Sequence, residues 1–181
     1  KDYKKTKSYI ISGLQINLCL AMIYSIFLLI FHNELIQFFN LGNVEVIEMA
    51  KIYLITVAIG MLFFFSGPVF SGIFNGMGDS KTPFIINTIG LAFNIIFDPV
   101  LIFGWAGFPK LGVLGAAIAT VTAQIIVTAC FIIAIIRKKL EFLTLNVLQK
   151  PQWNLIREIT HIGLPGALQS GLFTVFSMVI G

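Results

Sequence analysis

The chain has 181 residues, of which 57% are hydrophobic and only 11% are charged, and its mean hydropathy is +0.95. This composition excludes an ordinary soluble domain, because a water-facing surface of this size needs more charged side chains. The formal net charge of +4 does not indicate a nucleic-acid partner, since the basic residues lie at the ends of apolar stretches and form no continuous patch.

Long apolar stretches follow one another along the chain, and they predict an all-α, polytopic transmembrane helical bundle. A bilayer core of about 30 Å needs about 20 apolar helical residues. The predicted spans cover about 9–31, 52–74, 84–103 and 111–136, and a fifth helix occupies 161–181. The expected location is therefore a membrane, and the lipid bilayer is the expected surrounding of most of the chain.

Basic residues are distributed unequally between the two ends of these spans. If successive spans alternate in direction, one side holds ten of the twelve: Lys1, Lys4, Lys5, Lys7, Lys81, Arg137, Lys138, Lys139, Lys150 and Arg157. The other side holds Lys51 and Lys110. The positive-inside rule assigns the side with ten to the cytoplasm.

The second predicted span contains Gly67-Pro68. Proline has no N–H and leaves the carbonyl of Phe64, four residues earlier, without its helical partner. We therefore expect the second span to bend at Pro68.

A polar segment, GMGDSKTP at 76–83, separates the second and third spans. Its two glycines, acid, base and proline predict a tight turn on the cytoplasmic side. We expect Asp79 and Lys81 to fix this turn.

One acidic residue, Asp98, interrupts the interior of the predicted spans. An ionised carboxylate deep in a bilayer costs on the order of 2.5–3.5 kcal/mol, and such residues usually mark ion or substrate paths. Asn94 lies four residues earlier on the same helix face, and Pro99 frees the carbonyl of Ile95. These oxygens suit a hard cation such as Na⁺, or a proton held by Asp98. Thr120 adds a hydroxyl from the fourth span.

Small residues recur at every fourth position near the start of the fourth span. They form two adjacent ridges, Gly112/Ala116/Thr120 and Gly115/Ala119/Ala123. Such ridges allow close helix approach, and the short connection predicts that this helix packs against the third span.

Residues 140–160 are mixed polar and apolar, and they predict a cytoplasmic linker. Within it, Leu155, Ile156 and Ile159 form one apolar stripe, as in an interfacial helix. The helix at 161–181 follows the linker.

Several segments resemble the multidrug and toxic compound extrusion (MATE) transporter family. GMGDSKTPFIINTIGLAFNIIFDPVLIFG, followed by PKLGVLGAAIAT, resembles the first half of these transporters, and HIGLPGALQSGLF resembles the start of the second half. The resemblance covers most of 45–181. It implies that the chain is a fragment of a twelve-helix, two-lobe protein, holding helices three to six and the start of seven. Residues 1–139 would then belong to the amino-terminal lobe, and 161–181 would be the truncated first helix of the second lobe.

The resemblance also implies a secondary active multidrug efflux transporter of a bacterial inner membrane. Its cargo would be small organic cations, exchanged for Na⁺ or H⁺, with no other cofactor. In the family, an Asn and an Asp of helix five and a Thr of helix six help line a cavity, and Asn94, Asp98 and Thr120 match them. Na⁺, if it is the coupling ion, would bind at Asp98 and Asn94. Pro68 and Pro99 would be bend points for alternating access. The family's acid in helix one has no counterpart in this chain.

Other functions remain open from the sequence. A lipid-linked precursor flippase shares the broad fold, but such proteins have strongly cationic cavities, and the predicted spans contain no Lys or Arg. A non-transporting membrane scaffold would use Asp98 and Asn94 only to hold helices together. An enzyme is not expected, because Asp98 is the only acid within a span and neither His lies inside one, so no catalytic residue is assigned.

Overall fold

The structure is a computed structural model that describes residues 3–138, 140 and 149–180, with the side chains in these ranges except 3, 4, 175 and 178–180. The described chain is helical, as predicted. Its α-helices are α1 (Tyr3–Phe38), α2 (Val44–Ile59), α3 (Met61–Gly76), α4 (Lys81–Phe103), α5 (Val113–Arg137) and α6 (Trp153–Ile180), and a 3₁₀ turn (Trp105–Gly107) lies between α4 and α5.

Three of these helices are long and apolar enough to cross a membrane: Lys5–Phe38 of α1, α4 and α5. The pair α2 and α3 can provide a fourth crossing if it is counted as one bent span. The first, third and fourth predicted spans therefore each correspond to one helix of membrane-spanning length, and the second corresponds to the bent pair. The fifth lies within α6, where several side chains are outside the described set.

Contacts divide the chain into two units. We call Asn17–Leu140 the bundle unit, and Lys1–Ile16 with Glu141–Gly181 the terminal unit. In this division the start of α1 groups with α6. The Tyr9 hydroxyl donates to Glu158 Oε2 at 2.6 Å, and Gln15 Nε2 donates to the Gln149 carbonyl at 2.7 Å.

The segment predicted as a linker is partly helical. α6 begins at Trp153 and continues through residue 161 without a break, so the interfacial stripe and the following span belong to one helix. Residues 141–148 of the predicted linker lie outside the described residues. Lys1 and Lys139, two of the basic residues counted above, also lie outside them.

The second span is broken at Gly60, eight residues before the bend predicted at Pro68. α2 and α3 meet there at 52°, and α3 runs through Pro68 as a continuous helix. A Cβ on Gly60 would lie 2.7 Å from Val121 Cγ2 on α5. The chain turns where a residue without a side chain can lie directly against the neighbouring helix.

Helix α5 lies at the centre of the bundle unit and contacts α2, α3 and α4. Its buried positions are Gly115, Ala117, Ala119, Ala123, Val127, Phe131 and Ile135. In the core near the end of α5, the ring of Phe131 is fully buried and lies 5.7 Å from the ring of Phe70 and 5.8 Å from that of Phe74, between centroids. Dispersion between these rings ties α3 to α5.

The ridge Gly115/Ala119/Ala123 packs against α4, as predicted. A Cβ on Gly115 would lie 2.5 Å from the Leu101 carbonyl oxygen, and one on Gly90 would lie 2.3 Å from Val127 Cγ2. Close approach of this kind replaces side-chain volume with backbone contact and is common between membrane helices. It holds α4, which carries Asn94 and Asp98, directly against α5.

The connection after α4 folds back onto the end of that helix. Gly104 ends α4 with a left-handed φ of 75°, and its N–H donates to the Val100 carbonyl at 3.0 Å. The N–H groups of Leu111 and Gly112 donate to the carbonyls of Leu101 and Ile102, at 3.0 and 3.2 Å. These bonds satisfy carbonyls that the helix end would leave unpaired, so the end of α4 next to Asp98 is fixed.

The polar turn before α4 is held by Asp79. Its carboxylate accepts from the Thr82 N–H at 3.1 Å and from the Thr82 hydroxyl at 2.7 Å, as a helix cap does. It also forms an ion pair with Lys138, at the end of α5. The basic partner of Asp79 is thus Lys138 and not Lys81, because the turn packs beside the end of α5.

Candidate functional site

Asn94 and Asp98 lie one turn apart on α4, inside a membrane-length helix. Both residues are half-buried. Asn94 Oδ1 and Asp98 Oδ1 are each buried without a hydrogen-bond partner, and they are the two such side-chain atoms found in the described part of the chain. An unpaired buried polar atom costs about 1–3 kcal/mol. Two of them on one helix face are open to a ligand, a proton, water or a donor from another part of the protein.

Polar residues that join helices in this bundle behave differently. Ser66 on α3 and Thr128 on α5 share a hydrogen bond of 2.6 Å between their hydroxyls. Ser25 on α1 donates to the Ala58 carbonyl at 2.7 Å. These interhelical contacts are paired, whereas Asn94 Oδ1 and Asp98 Oδ1 have no partner within the described part of the chain.

Thr120 lies on α5 at the same level as this pair. Gly115 contacts Leu101, and the two helices run in opposite directions, so five residues along α5 correspond to five residues back along α4. This count places Thr120 at about the height of the α4 turn between Asn94 and Asp98. Its hydroxyl donates to the Ala116 carbonyl of its own helix at 2.9 Å. The hydroxyl proton is used there, and the oxygen keeps a lone pair for a cation.

The two prolines assigned as bend points occupy different places. Pro99 lies inside α4 directly after Asp98, so the Ile95 carbonyl receives no hydrogen bond from position 99. That carbonyl is one turn below the carboxylate. Pro68 lies inside α3 and is exposed, and the bend of that span lies eight residues earlier, at Gly60.

Phe93 and Phe97 form an aromatic wall beside the polar pair, which the sequence interpretation missed. Their rings are stacked with centroids 4.1 Å apart and planes 11° apart. Each phenylalanine directly precedes one member of the polar pair, so the aromatic row lies about 100° around α4 from the polar row. The repeat of Phe-Asn and Phe-Asp four residues apart was the available signal. Aromatic faces attract organic cations.

The chemistry of these oxygens fits a hard monovalent cation or a proton. Carboxylate, amide, carbonyl and hydroxyl oxygens are ligands for hard cations. Among the described residues, no group of three or more His, Cys, Asp and Glu side chains could hold a transition metal.

A sequence profile of the MatE family matches residues 1–100. Over 130 residues, the chain is 36% identical to the "Probable multidrug resistance protein NorM" of Thermotoga maritima, a match that covers 72% of this chain and 28% of that protein. It is 27% identical over 184 residues to the "Probable multidrug resistance protein YoeA" of Bacillus subtilis, covering 99% of this chain and 39% of that one. The matches thus span less than two-fifths of the length of either relative.

Solved structures have the same fold. "Crystal structure of MATE in the bent conformation" matches with a TM-score of 0.85 at 23% identity, over 98% of this chain and 39% of the other. "Inward-facing conformation of a multidrug resistance MATE family transporter of the MOP superfamily" matches with a TM-score of 0.80 at 22% identity, over 91% of this chain and 36% of the other. At these identities, the likeness shows a shared all-helical fold.

Proposed function

The chain belongs to the MatE family of multi-pass membrane proteins, and on that premise we propose that it serves a secondary active efflux transporter that exchanges small organic cations for Na⁺ or H⁺. The names of its relatives, which are described as probable multidrug resistance proteins, support this activity. The observation that carries the proposal is the pair of buried, unpaired oxygens on Asn94 and Asp98.

The proposed mechanism is competition at one carboxylate. A proton or Na⁺ on Asp98 neutralises its charge, with Asn94 and Thr120 supplying further oxygens to Na⁺. An organic cation uses the same negative charge and places its apolar body against Phe93 and Phe97. Because one carboxylate cannot serve both ligands at full strength, binding of either one weakens binding of the other.

Exchange across a membrane then requires that the ligands reach Asp98 from each side in turn. We propose that Pro99 and Pro68 permit the helices to bend during this change, as interrupted helices do in transporters. Pro99 has the more direct position, because it follows the carboxylate itself. The coupling ion would then favour one access state and the cargo the other.

The test is Asp98→Asn in the native protein, expressed in cells lacking other efflux pumps. This variant keeps the size of the side chain and removes its charge, so we expect accumulation of a fluorescent organic cation to rise to the level of cells without the protein. The matched control is Glu45→Gln, which removes an exposed carboxylate at the start of α2. It should leave efflux unchanged. Membrane insertion of both variants is checked by immunoblot of the membrane fraction.

Normal efflux by Asp98→Asn would overturn the proposal and favour a scaffold in which the pair only joins helices. In the wild-type protein, external Na⁺ and pH are varied separately. Dependence on one gradient identifies the coupling ion, and dependence on neither contradicts antiport.

A further inference from the structure

A groove of about 290 Å³ lies between the start of α4 and the end of α5, away from Asp98. Its walls are apolar and are formed by Ile85, Ile86, Cys130, Ile133 and Ala134. Ile85 and Ile133 are 45% and 49% exposed. Because both helices are long and apolar enough to span a membrane, an apolar groove on them lies at a depth where the solvent is hydrocarbon and not water.

The end of the groove is polar and basic. Thr82, Arg137 and Lys138 line it there. Lys138 is fixed by its ion pair with Asp79 and by donation to the Thr82 hydroxyl at 2.9 Å. Its Nζ lies 5.6 Å from the centre of the Phe74 ring. A basic group held in place in this way presents its charge without further loss of side-chain entropy.

Arg137 is the free cation of this end of the groove. It is exposed, and within the described residues it has neither a hydrogen bond nor an ion pair. Asp79 compensates one of the two positive charges, so the groove end keeps a net positive charge. The start of α4 adds the positive end of a 23-residue helix dipole. The planar guanidinium can bind two oxygens of one phosphate.

The order of these groups matches the depth profile of a lipid. The cations lie where the apolar part of α5 ends, and the apolar walls extend from there towards the middle of the helices. We propose that the groove binds one anionic phospholipid, with its phosphate at Arg137 and Lys138 and an acyl chain along Ile85 and Ile133. Basic pockets between membrane helices are suited to anionic headgroups, and positive charge selects them over zwitterionic ones.

This inference depends on the membrane location of the chain and not on the proposed efflux function. Asp98→Asn and the variants below report on separate sites, so one proposal can fail while the other holds.

The experiment is native mass spectrometry of the purified native protein titrated with phosphatidylglycerol or with phosphatidylcholine of the same acyl chains. Wild type should retain phosphatidylglycerol preferentially. Loss of one interfacial cation weakens anionic-lipid binding about fivefold, so Arg137→Gln should lose most of the preference. Arg137→Lys should keep part of it. The matched control is Lys110→Gln, which removes an exposed positive charge after α4 and should change nothing.

A second measurement needs no variant. Alkylation of Cys130, which lines the groove, should be slowed by phosphatidylglycerol and not by phosphatidylcholine, while alkylation of the exposed Cys19 serves as reference. Equal retention of both lipids, or equal losses in Arg137→Gln and Lys110→Gln, would overturn the proposal. Displacement of the lipid by glycerol 1-phosphate at the same concentration would also overturn it, because a phosphate site without a role for the acyl chain would then suffice.

Discussion

Two aspartates of the bundle unit show how the surroundings of a residue decide its role. Asp79 is paired with Lys138 and with both donor groups of Thr82, and it holds the turn before α4. Asp98 has a buried oxygen with no partner. The same side chain therefore serves as a cap in one place and as a candidate ligand in the other. Only the role of Asp79 is explained by its contribution to the stability of the fold.

The pH dependence of stability should report on Asp79. The hydrogen bond from Lys138, and then those from the hydroxyl and backbone N–H of Thr82, lower the pKa of Asp79 from 3.8 to about 2. A carboxylate whose pKa is lower in the folded state stabilises that state above its unfolded pKa. We expect Asp79→Asn to lower the melting temperature of the detergent-solubilised protein at pH 7. The difference from wild type should shrink as the pH falls from about 4 to about 2.

The partner of the ion pair provides the control. Lys138→Gln should reproduce the loss at pH 7, whereas Lys110→Gln, the same change at an exposed site, should not. A difference between Asp79→Asn and wild type that stays constant from pH 7 to pH 2 would contradict this assignment.

At the scale of helices, glycine decides how closely α4 and α5 pack. At Gly115, the atom in the way of a Cβ is the backbone oxygen of Leu101, which can move only with α4. At Gly90, it is a methyl group of Val127, which belongs to a side chain. Overpacking a tight core costs about 1–3 kcal/mol, and the cost is greater where backbone must move.

We therefore expect Gly115→Ala to be more destabilising than Gly90→Ala, which should lose about 1–3 kcal/mol or less. Adding Val127→Ala to Gly90→Ala should recover part of the loss, because it removes the obstructing methyl groups. Gly72→Ala is the control, since a Cβ there meets no atom within 4 Å. Unfolding in mixed detergent micelles measures all four variants. Equal losses at Gly72 and Gly115 would show that helix packing is not the cause.

The break of the second span at Gly60 is a feature that a local sequence rule does not locate. Proline disrupts a helix by its own chemistry, so Pro68 was the natural prediction. Glycine weakens a helix by only about 1 kcal/mol, and Gly60 lies close to Val121, which is 61 positions away in the sequence. A bend set by packing against a distant helix is visible only once the helices are assembled.

At the scale of the whole molecule, the predicted alternation of span directions is consistent with which helix ends lie close together. The ion pair of Asp79 and Lys138 brings the turn between α3 and α4 to the same end of the bundle unit as the end of α5. Both segments were assigned to the basic, cytoplasmic side. The orientation in the membrane itself is a prediction from the charge distribution.

Labelling in intact bacterial cells tests that orientation. In a background with other cysteines replaced, Lys110→Cys should react with a membrane-impermeant maleimide from outside. Ser80→Cys, in the turn beside Asp79, should react only after the cells are made permeable. The opposite pattern would reverse the proposed orientation, and labelling of both from outside would contradict the alternating spans.

The sequence by itself determined the class of the protein, because long apolar stretches must form helices in lipid and the uneven distribution of basic residues predicts their direction. It also singled out Asp98, since an acid in a span is costly, and Asn94, since helical spacing places it on the same face. The tertiary structure decided the bend at Gly60, the partner of Asp79, the grouping of the start of α1 with α6 and the basic groove at Arg137. Each of these depends on residues far apart in the chain, whose contacts follow from helix packing and not from local periodicity.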